Sequence, residues 1–536
     1  MVLALLSLSL GATVRIKVSS QEEFDALSAI GRRFAEEDDI QVELEKGVYY
    51  YRENHLDFSG LDRPDARFSL QGNGSVLIPV GKTFAFSREG QDVTDYDRSY
   101  STEDGFVSLP EGHSVDFRDP VKACKTLPLP VNLKHRVFRF RCDEPDLDQA
   151  QAKDTYILLT QWYIGAVYRV QKIRNGWLYF YAEKKYRTRL YEEFRYGRCR
   201  QRYVLYNQKS EDHPYLADGK LFSPDRKSIH RCEATLFLNA SDGRIGSIRL
   251  TGCRFVGNRS GGNLLQFVHL ESGNIEIDHC RFEGIKSHVV LVSDAAHFRF
   301  HDNVLTGCYR RGVHCDYLSR DCHIYRNRFL NHGQMLSSAP AVYCQGSGFV
   351  VSDNYFENFA YCAIGLGTHY VETDGCFTEG IVERNEICQT DAFRRPPMAT
   401  LIDSGAIYVW TQNKRTVIRQ NYIHDISGAH GNRGILCDDG VVNVSIYDNF
   451  IVGIDHNSYC IDLRKRYAVE RKPNSFIHKV NVGNRMWGNW VDGRVRFHIR
   501  KGDCNSFAHP NIRIGRGEEL RKALDAWKKR FGLKMN

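Results

Sequence analysis

The chain has 536 residues, 42% hydrophobic and 26% charged, and its 73 Lys and Arg against 65 Asp and Glu give a formal net charge of +8. That length accommodates a large solenoid with additions, and the interspersed signs give no reason to expect nucleic acid while tolerating an anionic glycan. No stretch reaches the ~20 apolar residues of a membrane-spanning helix, so no membrane span is predicted, and the sequence is silent on oligomeric state.

Residues 1–12 (MVLALLSLSLGA) resemble the apolar core and cleavage site of an export signal that lacks its basic start. They predict a periplasmic or extracellular protein; a first buried strand is the alternative. Next, Ser20 stands three residues before Glu23 as a capping box, followed by Phe24, Leu27, Ile30 and Phe34 on one helical face. A helix there, followed by strands within 40–51 and 68–78, would cover the open end of a stack of strands and hide its unpaired edge. Residues 13–83 therefore form the start of the coil with its capping helix.

Over 84–231 the pattern changes to aromatic-rich runs such as TYILLTQWYIGAVYRV and GWLYFYAEKKY, joined through the hairpin pair Asn175-Gly176. They predict an inserted antiparallel β domain. Its tract 187–203 mixes Arg with aromatics, which suits a solvated strand face better than a sugar platform.

From 232 to 490 a unit recurs, reading GCRF at Gly252, HCRF at His279, DNVL at Asp302, RNRF at Arg326, DNYF at Asp353, RNEI at Arg384, QNYI at Gln420, DNFI at Asp448 and GNRM at Gly483. Its second residues are Cys253, Cys280, Asn303, Asn327, Asn354, Asn385, Asn421, Asn449 and Asn484, spaced 23 to 36 residues apart. Short alternating stretches precede each copy, so one unit is one rung of a parallel β-helix, stacked at about 4.8 Å. The Asn side chains then form an internal, structural ladder at a bend. Of the 16 cysteines, Cys315, Cys344 and Cys437 alternate with outward residues and read as buried free thiols; no zinc-finger spacing occurs.

Aligning rungs on the ladder gives two outward columns. One is His314, Tyr343, Gly365, Tyr408, Leu436, Asp462; the other is Asp316, Gln345, Gly367, Trp410, Asp438, Arg464. Trp410 and Tyr408 offer flat apolar rings to sugar faces. Asp438 beside Arg464 and diagonal to Asp462 supplies carboxylates next to a cation, with Asp438 and Asp462 expected roughly 8 Å apart. Asp439, before Gly440, equally suits a turn, and Asp403 stands just ahead of a rung strand. His314, Asp316, His369 and the His424-Asp425 pair are further candidates for substrate contact, each with a structural alternative. Residues 491–536 end in a helix whose Leu520, Leu524, Trp527 and Phe531 share one face and would close the last rung.

The ladder resembles that of the right-handed parallel β-helix proteins of the pectin lyase-like superfamily. DSGAIYVW (403–410), IRQNYIHDISG (418–428) and RGILCDDG (433–440) are most similar to glycoside hydrolase family 141. That resemblance implies a fucosidase- or xylanase-type activity on complex plant glycans, with Asp403 and Asp438 or Asp439 as the acid/base pair. The expected fold is all-β, a right-handed parallel β-helix solenoid with an N-terminal capping helix, an antiparallel β insertion and a C-terminal helix.

The function expected is a glycoside hydrolase acting on an oligo- or polysaccharide without a cofactor. A polysaccharide lyase, which would bring in Ca²⁺ to neutralise a uronate, and a non-catalytic glycan-binding or structural β-helix are the alternatives. A single basic residue among several aromatics in the columns favours hydrolysis.

Overall fold

In the computed structural model, side chains are described for residues 13–34, 37–80, 234–258, 262–333, 339–359, 361–367, 379–390, 404–410, 415–426, 433–438, 441–454, 458–464, 483–497 and 512–533; for 81–232 and 506–507 there are mainly backbone strands. The export signal expected over 1–12 lies outside the described residues.

Alternation of apolar and polar residues over three to six positions makes each segment a strand with one dry and one wet side, and stacking such segments in parallel is the way to bury the dry side. One rung consists of Gly405–Trp410, Val417–Arg419 and Tyr422–His424, and each pairs in parallel with its counterpart in the next rung, Arg433–Asp438, Ser445–Tyr447 and Phe450–Val452. These three positions define a first, second and third face. The same pairing repeats along the coil, so the protein is a parallel β-helix. In Leu238–Thr251, Asn263–Asp278 and His288–His301 the first and second faces are one uninterrupted strand, whereas later rungs break between them, as at Val313–Cys315 and Arg320–Tyr325.

The interior is apolar. Val313, Cys315, Val342, Cys344, Ile407, Val409, Ile435, Cys437, Ile461 and Leu463 all point inward and are buried, as the column alignment predicts. Each fully buried aliphatic contributes about 1.5–3 kcal/mol relative to exposure. Among the described residues ten cysteines are free and buried, and burial pushes the Cys308 thiol up to about 12, which makes it a poor nucleophile.

The bend between second and third faces needs one residue in the left-handed region, and that residue precedes each ladder Asn: φ is 55° at Asp302, 55° at Arg326, 57° at Asp353, 52° at Arg384, 55° at Gln420 and 55° at Asp448. The bend leaves backbone groups unpaired, and the Asn side chains satisfy them. Asn354 Oδ1 accepts from the backbone N and the Nδ2 of Asn327 (2.9 and 3.0 Å), while Asn354 Nδ2 donates to the Ile324 carbonyl (2.9 Å) and to Asn385 Oδ1 (3.0 Å).

The ladder continues through Asn385, Asn421 and Asn449, and then departs from expectation. Asn449 donates to Asn489, not to Asn484. Asn484 lies one strand earlier, where it accepts from the Val444 N–H and donates to the Val441 carbonyl. Two Gly-Asn pairs five residues apart, both with glycine at positive φ, made the repeat ambiguous; pairing of Phe450 with Trp490 fixes Asn489 as the ladder member.

At the start, a strand Thr13–Val18 that the sequence did not predict pairs with Asp39–Leu44. The capping box at Ser20 and Glu23 is present, and Phe24, Leu27, Ile30 and Phe34 are all buried, with Phe24 stacked on His55 at 4.3 Å. Strands Gly81–Phe84 and Ile229–Cys232 pair antiparallel where the chain leaves and rejoins the coil. Between them run antiparallel strands, including Ile164–Arg174 and Trp177–Tyr181 around the expected Asn175 turn (φ 50°).

The C-terminal helix Glu518–Phe531 does not close the last rung as expected. It lies along the third face, where Trp527 packs on Phe450 (5.5 Å) and Tyr422 (6.3 Å) and donates to the Asp448 carbonyl (2.8 Å). The outward aromatics of that face, absent from a purely polar surface, give the helix its dry partner.

Candidate functional site

The first face is where the candidate residues gather, because its strands bring the two outward columns into register. Pairings His314 with Tyr343, Tyr343 with Gly365, Gly365 with Tyr408, Tyr408 with Leu436 and Leu436 with Asp462 reproduce the predicted first column, and Trp410 with Asp438 the second. Gly365 makes a flat floor: a Cβ there would meet Tyr343 and Pro340 at 2.9 Å. Beyond it the rings of Tyr408 and Trp410 stack at 6.3 Å and 18°, with Tyr361 edge-on to Tyr408 at 5.7 Å. Tyr408 is itself largely buried among Cys362, Leu436 and Tyr361, so Trp410 is the more open ring.

Next to this apolar patch lies a charged one. Asp438, 2% exposed, accepts from Arg464 Nη1 (3.0 Å) and from the Tyr408 hydroxyl (3.4 Å). Asp462 is fully buried beneath three guanidiniums: Arg433 Nε at 3.2 Å, Arg464 Nε at 3.6 Å, and Arg496 through a two-point pair. Arg464 therefore bridges the two carboxylates. Asp462 cannot serve as the substrate contact expected of it, because it has no exposed surface; it holds the three arginines in place.

At the opposite end of the face, His314 stacks on Tyr343 (5.4 Å) and its Nε2 is 3.1 Å from Gln345 Oε1. Burial pushes its pKa down to about 3, with Arg311 adding to the shift, so the ring is neutral at physiological pH. Asp316 accepts from the Ser293 hydroxyl and from the Leu318 N–H (3.0 Å), which makes it partly a turn residue.

Three predicted site residues, His369, Asp403 and Asp439, lie outside the described residues. His424 is not brought to the groove. It points outward from the third face, stacked on Tyr422 at 4.2 Å and hydrogen-bonded to Asp425 (2.8 Å) and Glu386 (3.4 Å). Burial alone would lower its pKa, but its partners Asp425, Cys388 and Glu386 hold it up, to about 11. An imidazolium locked between two carboxylates beside the C-terminal helix is a structural ion cluster. Residues the sequence reading missed are Arg311, Arg433 and Arg496. Extending the first column one rung past Asp462 would have found Arg496; Arg433 and Arg311 lie ahead of the outward columns, and nothing in the alternation marks them.

Among the described residues, Glu276, Asp278 and His301 on the second face are near enough together to hold a metal ion, with donor atoms within 4.8 Å of one another. Asp278 is already engaged by Arg249 (3.0 Å), Thr251 (2.5 Å) and His279 (2.7 Å), a donor set that opposes a further cation. A cleft of about 550 Å³ between the third face and the end of the C-terminal helix is lined by Arg328, Tyr355, Glu386 and Phe531, with Arg326 and Arg384. Those last two arginines are paired bidentately with Asp302 and Asp353.

Fold and side chains together define a parallel β-helix protein with an aromatic and charged patch along one strand face. No family model and no curated protein matches the chain. A solved structure described as "The complex structure of XylC with xylose" is similar over 92% of this chain and 86% of that one, at 9% identity and a TM-score of 0.38.

Proposed function

We propose that the protein is an exported carbohydrate-active enzyme, a glycoside hydrolase whose groove on the first face binds a complex plant or cell-wall glycan. The observation that carries this proposal is the juxtaposition of the Trp410–Tyr408 ring pair with the Asp438–Arg464 pair on neighbouring strands. The Trp410 ring, backed by Tyr408, is open enough to take a sugar face and stands beside a carboxylate that can act on the anomeric carbon or on water. A carboxylate held against a guanidinium favours its charged form, which suits the base or nucleophile. The proton donor then comes from another group, and Asp403 and Asp439 are the candidates from sequence.

A lyase remains the second proposal, and one observation favours it more than the sequence did. Arg433, Arg464 and Arg496 converge at this end of the face, where the columns alone offered a single base. The same arginines already neutralise Asp438 and Asp462, so these two carboxylates are poor Ca²⁺ ligands, and a lyase here would neutralise its uronate with arginine instead.

Incubating the protein with defined plant oligosaccharides tests both. New reducing ends without an unsaturated product support the hydrolase, and an unsaturated product supports the lyase. Asp438→Asn should lower turnover by at least ~10² with folding intact. Near-normal turnover in that variant would move the chemistry away from Asp438, and no product from any glycan would leave a binding protein.

A further inference from the structure

Arg311 stands three residues before His314, where the chain enters the first face. It is half-buried, yet no carboxylate or carbonyl among the described residues accepts from its guanidinium. Its contacts are the Tyr343 ring, 4.5 Å from Cζ, and the His314 ring, whose two nitrogens lie 3.0 and 3.2 Å from Nη1. With the His314 hydrogen on Nε2, the Nδ1 lone pair is the acceptor for Nη1, which leaves the other guanidinium N–H groups without an acceptor among the described residues. His314 in turn directs Nε2 at Gln345, which fixes its hydrogen there.

Several buried polar atoms near Arg311 have no hydrogen-bond partner. His288 lies 6.2 Å from His314 with its Nδ1 unpaired, Arg310 has an unpaired Nε, and His332 behind them is 1% exposed with neither ring nitrogen in a well-formed hydrogen bond. Buried positive charge without a counterion is costly, as is each unpaired buried polar atom. A bound anion would relieve both costs at once. Elsewhere in the coil the bend arginines Arg326 and Arg384 have bidentate carboxylates, a pairing that Arg311 lacks.

We propose that Arg311 and His288 form a subsite for the carboxylate or sulfate group of an acidic sugar at the early end of the groove, with His314, its one N–H directed at Gln345, holding the Arg311 guanidinium in place. The rung of His314 is four steps from that of Asp438, through Tyr343, Gly365 and Tyr408, or roughly 19 Å at 4.8 Å per rung. The ligand is thus an oligosaccharide of several rings carrying its anionic group away from the position at Asp438. The guanidinium fork receives the anion bidentately, and the Tyr343 ring with the Gly365 floor supports the sugar that bears it. This deepens the glycan reading of the groove and rests on it.

The test is calorimetric titration of the full chain with an oligogalacturonate, a sulfated oligosaccharide and the carboxyl-reduced, neutral form of the first. In wild type one or both acidic ligands should bind about tenfold or more tighter than the neutral one, the scale of a charge-assisted pair. Preference for only the carboxylate or only the sulfate assigns the group. Arg311→Gln should remove the preference while leaving neutral binding within about twofold, and Arg311→Lys, which keeps charge but not the fork, should retain part of it. Arg328→Gln on the third face should change nothing. Should Arg311→Gln fail to fold, added salt must weaken acidic but not neutral binding in wild type. Equal affinities in wild type, or an undiminished preference in folded Arg311→Gln, overturn the subsite alone; no binding of any oligosaccharide overturns the glycan reading with it.

Discussion

Replacing Asn421 by Leu isolates what the ladder contributes. Asn421 Oδ1 accepts from the backbone N (3.1 Å) and Nδ2 (3.0 Å) of Asn385, and its Nδ2 donates to the carbonyls of Val382 (3.0 Å) and Arg419 (3.0 Å) and to Asn449 Oδ1 (2.9 Å). Leu is close in volume, so little is lost in packing. It does strand the Asn385 N–H, a buried backbone donor with no second acceptor at the bend, at about 1–3 kcal/mol. The Val382 carbonyl loses its side-chain donor as well, though it retains a second lone pair, so about 2–4 kcal/mol in all is expected. Urea denaturation followed by fluorescence measures it, with circular dichroism to confirm the native fold. In a solenoid the loss can appear as early unfolding of the neighbouring rungs, so exchange of the Asn385 and Asn421 amides should rise together. A variant within about 0.5 kcal/mol of wild type, with amide protection unchanged, would refute the claim that these side chains satisfy the bend.

Trp410→Ala should weaken oligosaccharide binding by about 3- to 10-fold, the scale of one aromatic contact, with much less effect on turnover at saturation; a turnover loss as large as that of Asp438→Asn would contradict a stacking role. Asp462→Asn removes the shared counterion of Arg433, Arg464 and Arg496 and should cost about 3–5 kcal/mol in denaturation, and an unchanged midpoint would deny that Asp462 is an anchor. Stability should also fall as pH drops below about 6.5. Burial holds His332 down to about 4 and His288 to about 3, so unfolded imidazoles bind protons that folded ones refuse. His424 runs the other way, its contribution complete below 6.5 and lost as pH rises toward 11. His332→Gln should flatten the denaturation midpoint between pH 7 and 5, and an unaltered slope would contradict this assignment.

The coil was legible because its information is periodic. A left-handed residue followed by Asn recurs wherever the chain must bend, and strict alternation fixes which residues face in, so the columns from His314 to Arg464 came out in register. The same periodicity misled where it was duplicated, since Gly483-Asn484 and Gly488-Asn489 both fit and only strand pairing separates them. Ring stacking and charge at the site could be anticipated; the convergence of three arginines on Asp462 could not, because Arg433 lies outside the alternating columns and reaches Asp462 through the conformation of its long side chain. His424 looked like an acid or base beside Asp425 by sequence adjacency, yet the bend carries it to the third face. The docking of the C-terminal helix on that face, instead of the last rung, depended on Tyr422, Phe450 and Trp490 making a dry lateral strip, a pattern spread over three rungs.

Hydrogen–deuterium exchange of the full chain with and without a bound oligosaccharide locates the ligand directly. Binding along the first face should slow exchange in Val342–Cys344, Ile364–Leu366, Gly405–Trp410 and Arg433–Asp438 while leaving Tyr422–His424 and Phe450–Val452 unchanged. Protection confined to the third face, around Tyr355, Glu386 and His424, would contradict a first-face groove and place the site in the cleft beside the C-terminal helix.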